Sequence, residues 1–504
     1  MPSVSPRSDH SADMGPGPGP GSGPETTRIK TKLPRHDLPE SVGTLVVGNG
    51  PAALFLSYLL SGHVPEYRRD GPGGPHPDTL LDGLLGSGRL DDALLDNADL
   101  AEHLTSGNRV LGSAVAATVS SFVDELVAPG IDHDVRGART KTRVRWRAEP
   151  AAAVDHIVVG TSFAPGGQWS DADVSVRTLS YAEMLSLPGY TFEAFYETKY
   201  GQPLPEYLRP LRSDVAEYYS AYARHVGVAD RLYTHHTVLS LRRSSGAGKR
   251  RFSAVVQAHD TERVAVVFAD RVVLATGVYS HQIPPDPVLA PLLLRPPGPA
   301  KTALVIGSGF SAADAILVAP PDQRIVHVYK WDPHVRPSPL RSCHREAYPE
   351  YASLYRLMRL AAAGRPVPPA DVTTEFGAHV AALAGRYEGI ANGRVVAATA
   401  DSVDVAAGDA VLRRSVDELK SFVGRIGIIS YLSADLRTEL GCTPDQIWAT
   451  KETFAAGVAA RARGRGPRAE ATYGLEAAPD VFLAGSLAGT TLVRHVLGGC
   501  VVVA

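Results

Sequence analysis

The sequence predicts an α/β fold with two separate parallel sheets, and three observations carry that prediction. Apolar strand candidates rich in Val, Ile and Leu recur at residues 43–47, 156–159, 271–274, 303–306, 325–328, 426–429 and 480–483. Unbroken rather than alternating apolar runs mark strands buried on both faces. Helix-like stretches lie between several of them, for example at 52–60, 213–226 and 312–317. Two of the strands, ending at Val47 and Ile306, break into glycines and lead at once into a helix. That strand–glycine–helix order is the dinucleotide-binding turn, so the expected fold class is α/β with two dinucleotide-binding (Rossmann-like) domains.

Composition sets the outer limits. The 504 residues are 44% hydrophobic and 21% charged, with a formal net charge of −2, so the chain can bury a sizeable core and carries no electrostatic footprint for nucleic acid. No apolar run reaches the roughly 18 to 20 residues of a membrane span. Cys343, Cys442 and Cys500 stand far apart and form no CxxC, which favours a reducing, cytoplasmic location. The 48 glycines and 39 prolines are unevenly placed. Residues 1–38 hold a Gly/Pro repeat without apolar periodicity and are expected to be a disordered tail. Residues 70–77 form a second such cluster and read as a surface loop.

The expected domains are a first dinucleotide unit over 39–297, with an insertion at about 63–150, a second over 298–415, and a return to the first over 416–504. The first unit is thus discontinuous. The chain ends at Val501-Val-Val-Ala504 inside what reads as a last helix, short of its polar cap.

The first glycine turn is Gly48-Asn49-Gly50-Pro51-Ala52-Ala53, of the form GxGxxA. Gly48 permits the tight turn, Gly50 lets a pyrophosphate approach the backbone, and Ala53 allows close helix–strand packing. Free N–H groups at the helix start then face the phosphates. The second is Gly307-Ser308-Gly309-Phe310-Ser311-Ala312, roughly 260 residues on. Two such turns in one chain point to two dinucleotides, FAD at the first and a nicotinamide cofactor at the second. The following strand ends in Lys330, with Arg336 nearby, where an acid would select NAD; a cation accepts a 2′-phosphate and favours NADPH. The competing reading of Lys330 is an ordinary surface lysine at a strand end.

Other segments fit a flavin site. Thr276 and Gly277 form a small-residue turn after a strand, as do Gly485 and Ser486, whose hydroxyl is a candidate donor to a ribityl chain. Gly166-Gly167-Gln168-Trp169 is the candidate flavin face: the glycines admit the backbone, Gln168 can bond a ring edge and Trp169 can wall the pocket, with plain core packing as its alternative. His281 either reaches the junction of the cofactors or is a solvated loop histidine. No catalytic nucleophile is assigned, no HExxH or Cys/His cluster indicates a metal, and the lack of CxxC argues against a disulfide reductase.

The order of GNGPAA at 48–53, GGQW at 166–169, LATG at 274–277 and GSGFSA at 307–312 resembles the class B flavin monooxygenases and N-hydroxylases. More closely, the strings at 46–62, 165–169, 305–317 and 484–499, together with YPEY at 348–351, resemble the oxidative-stress-induced growth inhibitor family from about residue 43 onward. The resemblance implies an NADPH-dependent FAD monooxygenase that forms a flavin hydroperoxide and passes oxygen from O2 to a soft nucleophile: a small amine, a sulfur or a protein side chain. It also implies links to growth, cell death and cytokinesis, signalling protein partners and a place at the midbody.

One departure stands out. The acid expected at the end of the second strand, where it would hold the FAD ribose, is replaced by Gly160, with Thr161 and Ser162 as neutral substitutes. Weak FAD binding follows as an expectation. So does a rival reading from another class, a catalytically weak or inactive nucleotide-binding regulator acting as a redox sensor.

Overall fold

Strand Ser41–Val47 leads through Gly48 into helix Pro51–Leu60 in a computed structural model that describes residues 37–504 apart from parts of 87–140, residues 172–174, 246–249 and 295–300, and most of 456–474. The expected tail lies, but for its last two residues, outside the described residues.

Ser41–Val47 sits inside a sheet in which Val481–Leu483, Val264–Leu274, Ser41–Val47, His156–Gly160 and Leu232–Thr234 run parallel in that order. Alternate residues of these strands feed two different cores. Val46, Val158 and Val273 pack with helix Pro51–Leu60, whereas Leu45, Val47, Val159 and Val272 pack on the opposite face. Both faces are covered, which is why the strands read as unbroken apolar runs. Val264–Leu274 is shared: its first half pairs antiparallel with Phe252–Ala258, which pairs in turn with His236–Arg243.

A second parallel sheet has the order Tyr387–Ala391, Arg324–Tyr329, Thr302–Ile306 and Glu418–Ser421. Ala303, Val305 and Ile325 face helices Phe310–Leu317, Pro349–Ala362 and Glu375–Ala384. Leu304, Val326 and Val328 face a three-stranded antiparallel sheet over 393–415. The chain therefore folds as two Rossmann-like α/β units, with the second placed between the Val264–Leu274 and Val481–Leu483 strands of the first. The segment after the first helix forms a small antiparallel sheet, His63–Tyr67 with Val144–Ala148, together with helices Thr79–Leu85 and Val115–Val127.

The first unit closes on residues from far down the chain. Helix Leu497–Val503 packs on Val115–Val127, and the buried Asp124 carboxylate accepts the Gly498 N–H at 2.8 Å. A Cβ on Gly498 would lie 1.9 Å from the Ser120 carbonyl oxygen, whereas one on Gly499 would meet its nearest neighbour at 3.7 Å. Gly498→Ala is expected to cost about 1–3 kcal/mol through overpacking against backbone that cannot yield. Gly499→Ala should leave the melting temperature unchanged or slightly raised, since alanine is the better helix former. Thermal denaturation of the two variants side by side checks this.

Candidate functional site

The two glycine turns are built alike. Gly48 has φ +118° and its N–H donates to the Val159 carbonyl at 2.7 Å; Gly307 has φ +128° and donates to the Val328 carbonyl at 3.1 Å. A Cβ on Gly48 would lie 2.3 Å from the carbonyl oxygen of Ala275, and one on Gly307 at the same distance from that of Phe422. Each first glycine thus lies against the chain leaving the adjacent parallel strand, a contact that only hydrogen at Cα permits.

Gly50 and Gly309 cap the two helices with φ −77° and −91°, without a side-chain cap and without an acid in the first turn. Among the described residues nothing lies within 4 Å of a Cβ built on either. Both helix starts therefore present open space and N–H groups toward an anion. Pro51 occupies the first helical turn, where its missing N–H costs nothing. Ala53 and Ala312 are buried at 0% and 1% exposure, as close helix–strand packing demands. Phe310 sets its ring edge-on to Tyr351 at 5.3 Å, and Ser311 is exposed.

Residues 161–171 fold over the first turn. Gly166 (φ +113°) donates its N–H to the Asn49 carbonyl at 2.9 Å and abuts Tyr219; a Cβ on Gly167 (φ +61°) would lie 3.0 Å from the Gly50 Cα. Gln168 is exposed, and the half-buried Trp169 ring lies 6.4 Å from Tyr219. From the other side, a Cβ on Gly485 would meet that of Ala52 at 3.0 Å. The Ser486 hydroxyl accepts the Val278 N–H at 3.0 Å, which ties it to the turn at Gly277 (φ +73°). Thr276 Oγ1 is buried beside the Tyr431 hydroxyl, whose pKa burial pushes up to about 12. The residues expected at the first turn therefore converge at the carboxyl ends of the parallel strands, where ligands of such sheets bind.

Asn49 explains Gly160. A Cβ at Gly160 would meet the Asn49 Cγ at 2.4 Å, and the Asn49 amide donates to the carbonyls of Ser162 and Ala164 at 3.1 and 3.3 Å. The space of the expected acid is filled by an amide that ties the loop down. A carboxylate is nevertheless present: Asp171, at the end of the short helix Gln168–Asp171, accepts the Ser162 hydroxyl at 2.7 Å. Sequence reasoning missed it because it lies after the GGQW glycines and reaches Ser162 only through the fold of the loop.

At the second turn Lys330 is exposed, and it and Arg336 lie over the Trp331 ring at 4.9 and 4.5 Å. His281 lies in a short strand paired with Ile426, its ring 5.2 Å from Trp448. Cys343, Cys442 and Cys500 are free thiols, and burial pushes Cys343 up to about 11. Among the described residues no group of three His, Cys, Asp or Glu side chains is placed to hold a metal, and no helix is long and apolar enough to cross a membrane.

Two buried histidines hold the sheets. His327 Nε2 donates to the Gly307 carbonyl at 2.5 Å while Nδ1 accepts the Tyr387 hydroxyl; His156 donates to the Val154 carbonyl and accepts the Ser57 hydroxyl at 2.8 Å.

No protein-family model matches the chain. It is 27% identical over 365 residues to oxidative stress-induced growth inhibitor 1 of Mus musculus, across 64% of this chain and 70% of that protein. To growth inhibitor 2 of Homo sapiens it is 25% identical over 365 residues, across 62% and 68%. The chain resembles the oxidative stress-induced growth inhibitors. Solved structures similar to it include the bacillithiol disulfide reductase Bdr of Bacillus cereus (TM-score 0.48, 12% identity, 92% of this chain and 98% of that one). A flavin monooxygenase of Stenotrophomonas maltophilia gives a TM-score of 0.45 at 14% identity, over 91% and 95%. An ornithine N-hydroxylase of Kutzneria gives 0.45 at 13%, over 92% and 98%.

Burial lowers the pKa of both His156 and His327 from 6.5 to about 4. The unfolded chain takes up these protons near pH 6.5 and the folded one only near 4, so the stabilisation is full above pH 6.5 and is lost as pH falls toward 4. The melting temperature should drop steadily between pH 6.5 and 4.5. His327→Gln should flatten that slope while costing ~1 kcal/mol at pH 7 through the lost Gly307 bond. A slope unchanged in the variant contradicts the assignment.

Proposed function

We propose that the chain is an NADPH-dependent FAD monooxygenase, with FAD at Gly48–Ala53 and NADPH at Gly307–Ala312. The observation that carries this reading is the matched pair of turns, each with an uncapped helix start and an open second glycine. Bound FAD would supply reduction by NADPH and activation of O2, chemistry that side chains do not provide. The protein's part is to bind, orient and exclude water. Gly50, Gly166 and Gly167 bring bare backbone to the pyrophosphate. Asp171, which accepts the Ser162 hydroxyl two residues past Gly160, would offer the ribose a carboxylate from the loop instead of from the strand end. Gly277, Gly485 and Ser486 close the site from the opposite strands. Lys330 and Arg336, both over the Trp331 ring, offer positive charge to a 2′-phosphate and so favour NADPH. Trp169 and Tyr219 wall the loop side, limiting the water that would divert oxygen transfer to peroxide release. The accepting substrate is a soft nucleophile, an amine, a sulfur or a protein side chain. The names of the relatives support a setting in oxidative stress and growth control. The exchange of an acid for Gly160 and Asn49 favours a second reading, a sensor that binds nucleotide and turns over slowly.

Purified protein is expected to be yellow or to become so with added FAD, to bleach with NADPH under anaerobic conditions, and to consume O2 on re-aeration. Oxygenated products are then sought by mass spectrometry. FAD uptake without NADPH oxidation selects the sensor; failure to take up FAD removes the enzyme reading. Gly50→Ala should keep the native melting temperature, because its Cβ enters open space, yet weaken FAD binding by about tenfold or more, ~1.4 kcal/mol. Asp171→Asn should weaken FAD while leaving NADP+ binding unchanged, measured by titration calorimetry.

A further inference from the structure

The YPEY string at 348–351 is not used by either glycine turn, yet each of its residues makes a specific contact. Pro349 opens helix Pro349–Ala362. The Tyr348 hydroxyl donates to the Leu179 carbonyl at 2.9 Å, across to the first unit. Glu350 accepts Arg209 Nη2 at 2.6 Å, and Arg209 also donates to the carbonyls of Thr178 at 2.8 Å and Ala347 at 3.0 Å. Tyr348 covers the guanidinium with its ring, 4.3 Å away. The Tyr351 hydroxyl donates to Asp314 at 2.7 Å, and Asp314 also accepts Arg212 Nη2 at 2.9 Å.

These contacts connect the two turns. Asp314 lies on helix Phe310–Leu317, which starts at the second turn. Arg212 opens helix Arg212–His225, whose Tyr219 backs Gly166 and Trp169 over the first turn. The Arg209 and Glu350 side chains are only 8% and 16% exposed. Burying such a pair costs several kcal/mol in desolvation, and apolar residues would glue the surfaces at least as well. What the charged pair adds is direction: a planar guanidinium with its bonds in fixed orientations permits one docking geometry.

We infer that Tyr348, Glu350 and Tyr351, with Arg209, Arg212 and Asp314, are positioning residues that hold the second glycine turn in one register against the first, so that dinucleotides bound at the two turns meet. This rests on the dinucleotide reading of both turns. Placement matters at this scale, since a displacement of about 1 Å costs on the order of 100-fold in a transfer step.

The test measures geometry and chemistry separately. Spin labels introduced through an unnatural amino acid at the exposed Glu197 and Ala381 report the spacing of the two units in the ligand-free chain. The native chain should give one narrow distance distribution. Glu350→Gln should broaden it, as should the double variant Arg209→Leu/Glu350→Leu, which removes both buried charges and serves if the single variant does not fold. In FAD-loaded protein, reduction by NADPH should then slow about 100-fold while the dissociation constants of FAD and NADP+ stay within about threefold. A distribution that stays narrow in both variants overturns the inference. So does a rate loss that weakened binding accounts for. If the chain takes up no FAD, the dinucleotide reading fails, and the label distances still decide whether these residues fix the units.

Discussion

Both units depend on the same close approach. A glycine ends the first strand with φ beyond +110° and lies against the carbonyl of the residue leaving the neighbouring parallel strand, Ala275 in one unit and Phe422 in the other. A methyl group at either position would displace backbone in the middle of a sheet rather than a side chain at its rim. Once that contact is made, the helix start, its free N–H groups and the open space above the next glycine follow from chain geometry. The glycine turn and the sheet are therefore one construction, and neither can be altered alone.

Much of this was legible in the sequence because it is local. The apolar runs, the glycines and the helix that follows each turn lie within about 20 residues of one another, where steric rules act without tertiary help. Val46 and Leu45 illustrate it: adjacent residues feed opposite cores, so Leu45, Val46 and Val47 are all apolar. Gly277 and Gly485 are visible in the sequence as small residues at strand ends; in the structure Gly485 lies against Ala52 and Gly277 against Ser486. The Ser486 hydroxyl accepts from Val278, a tie the sequence does not show and one that leaves its own proton to donate.

What was not legible requires contacts between distant segments. Gly160 reads as a missing acid; only the fold shows Asn49 filling the space and Asp171 arriving beside Ser162. The antiparallel ladder of His236–Arg243, Phe252–Ala258 and Val264–Leu274 was hidden because its strands are partly exposed and break the unbroken apolar pattern. YPEY was visible as a string, but its partner Arg209 lies 141 residues away and has no motif of its own.

The discontinuous sheet has a consequence for the order in which the protein is made. Thr302–Ile306 to Glu418–Ser421 contains every strand of the second sheet, so that unit can assemble while the chain is still emerging. The first unit cannot. Its Val264–Leu274 strand waits for Val481–Leu483, and Asp124, in the last turn of helix Val115–Val127, waits for the Gly498 N–H of helix Leu497–Val503. Until residues 481–503 leave the ribosome, an apolar strand edge and a helix face remain uncovered. The half-made molecule is thus the state most exposed to aggregation, and the first glycine turn gains its Gly485 neighbour only after the second sheet is complete.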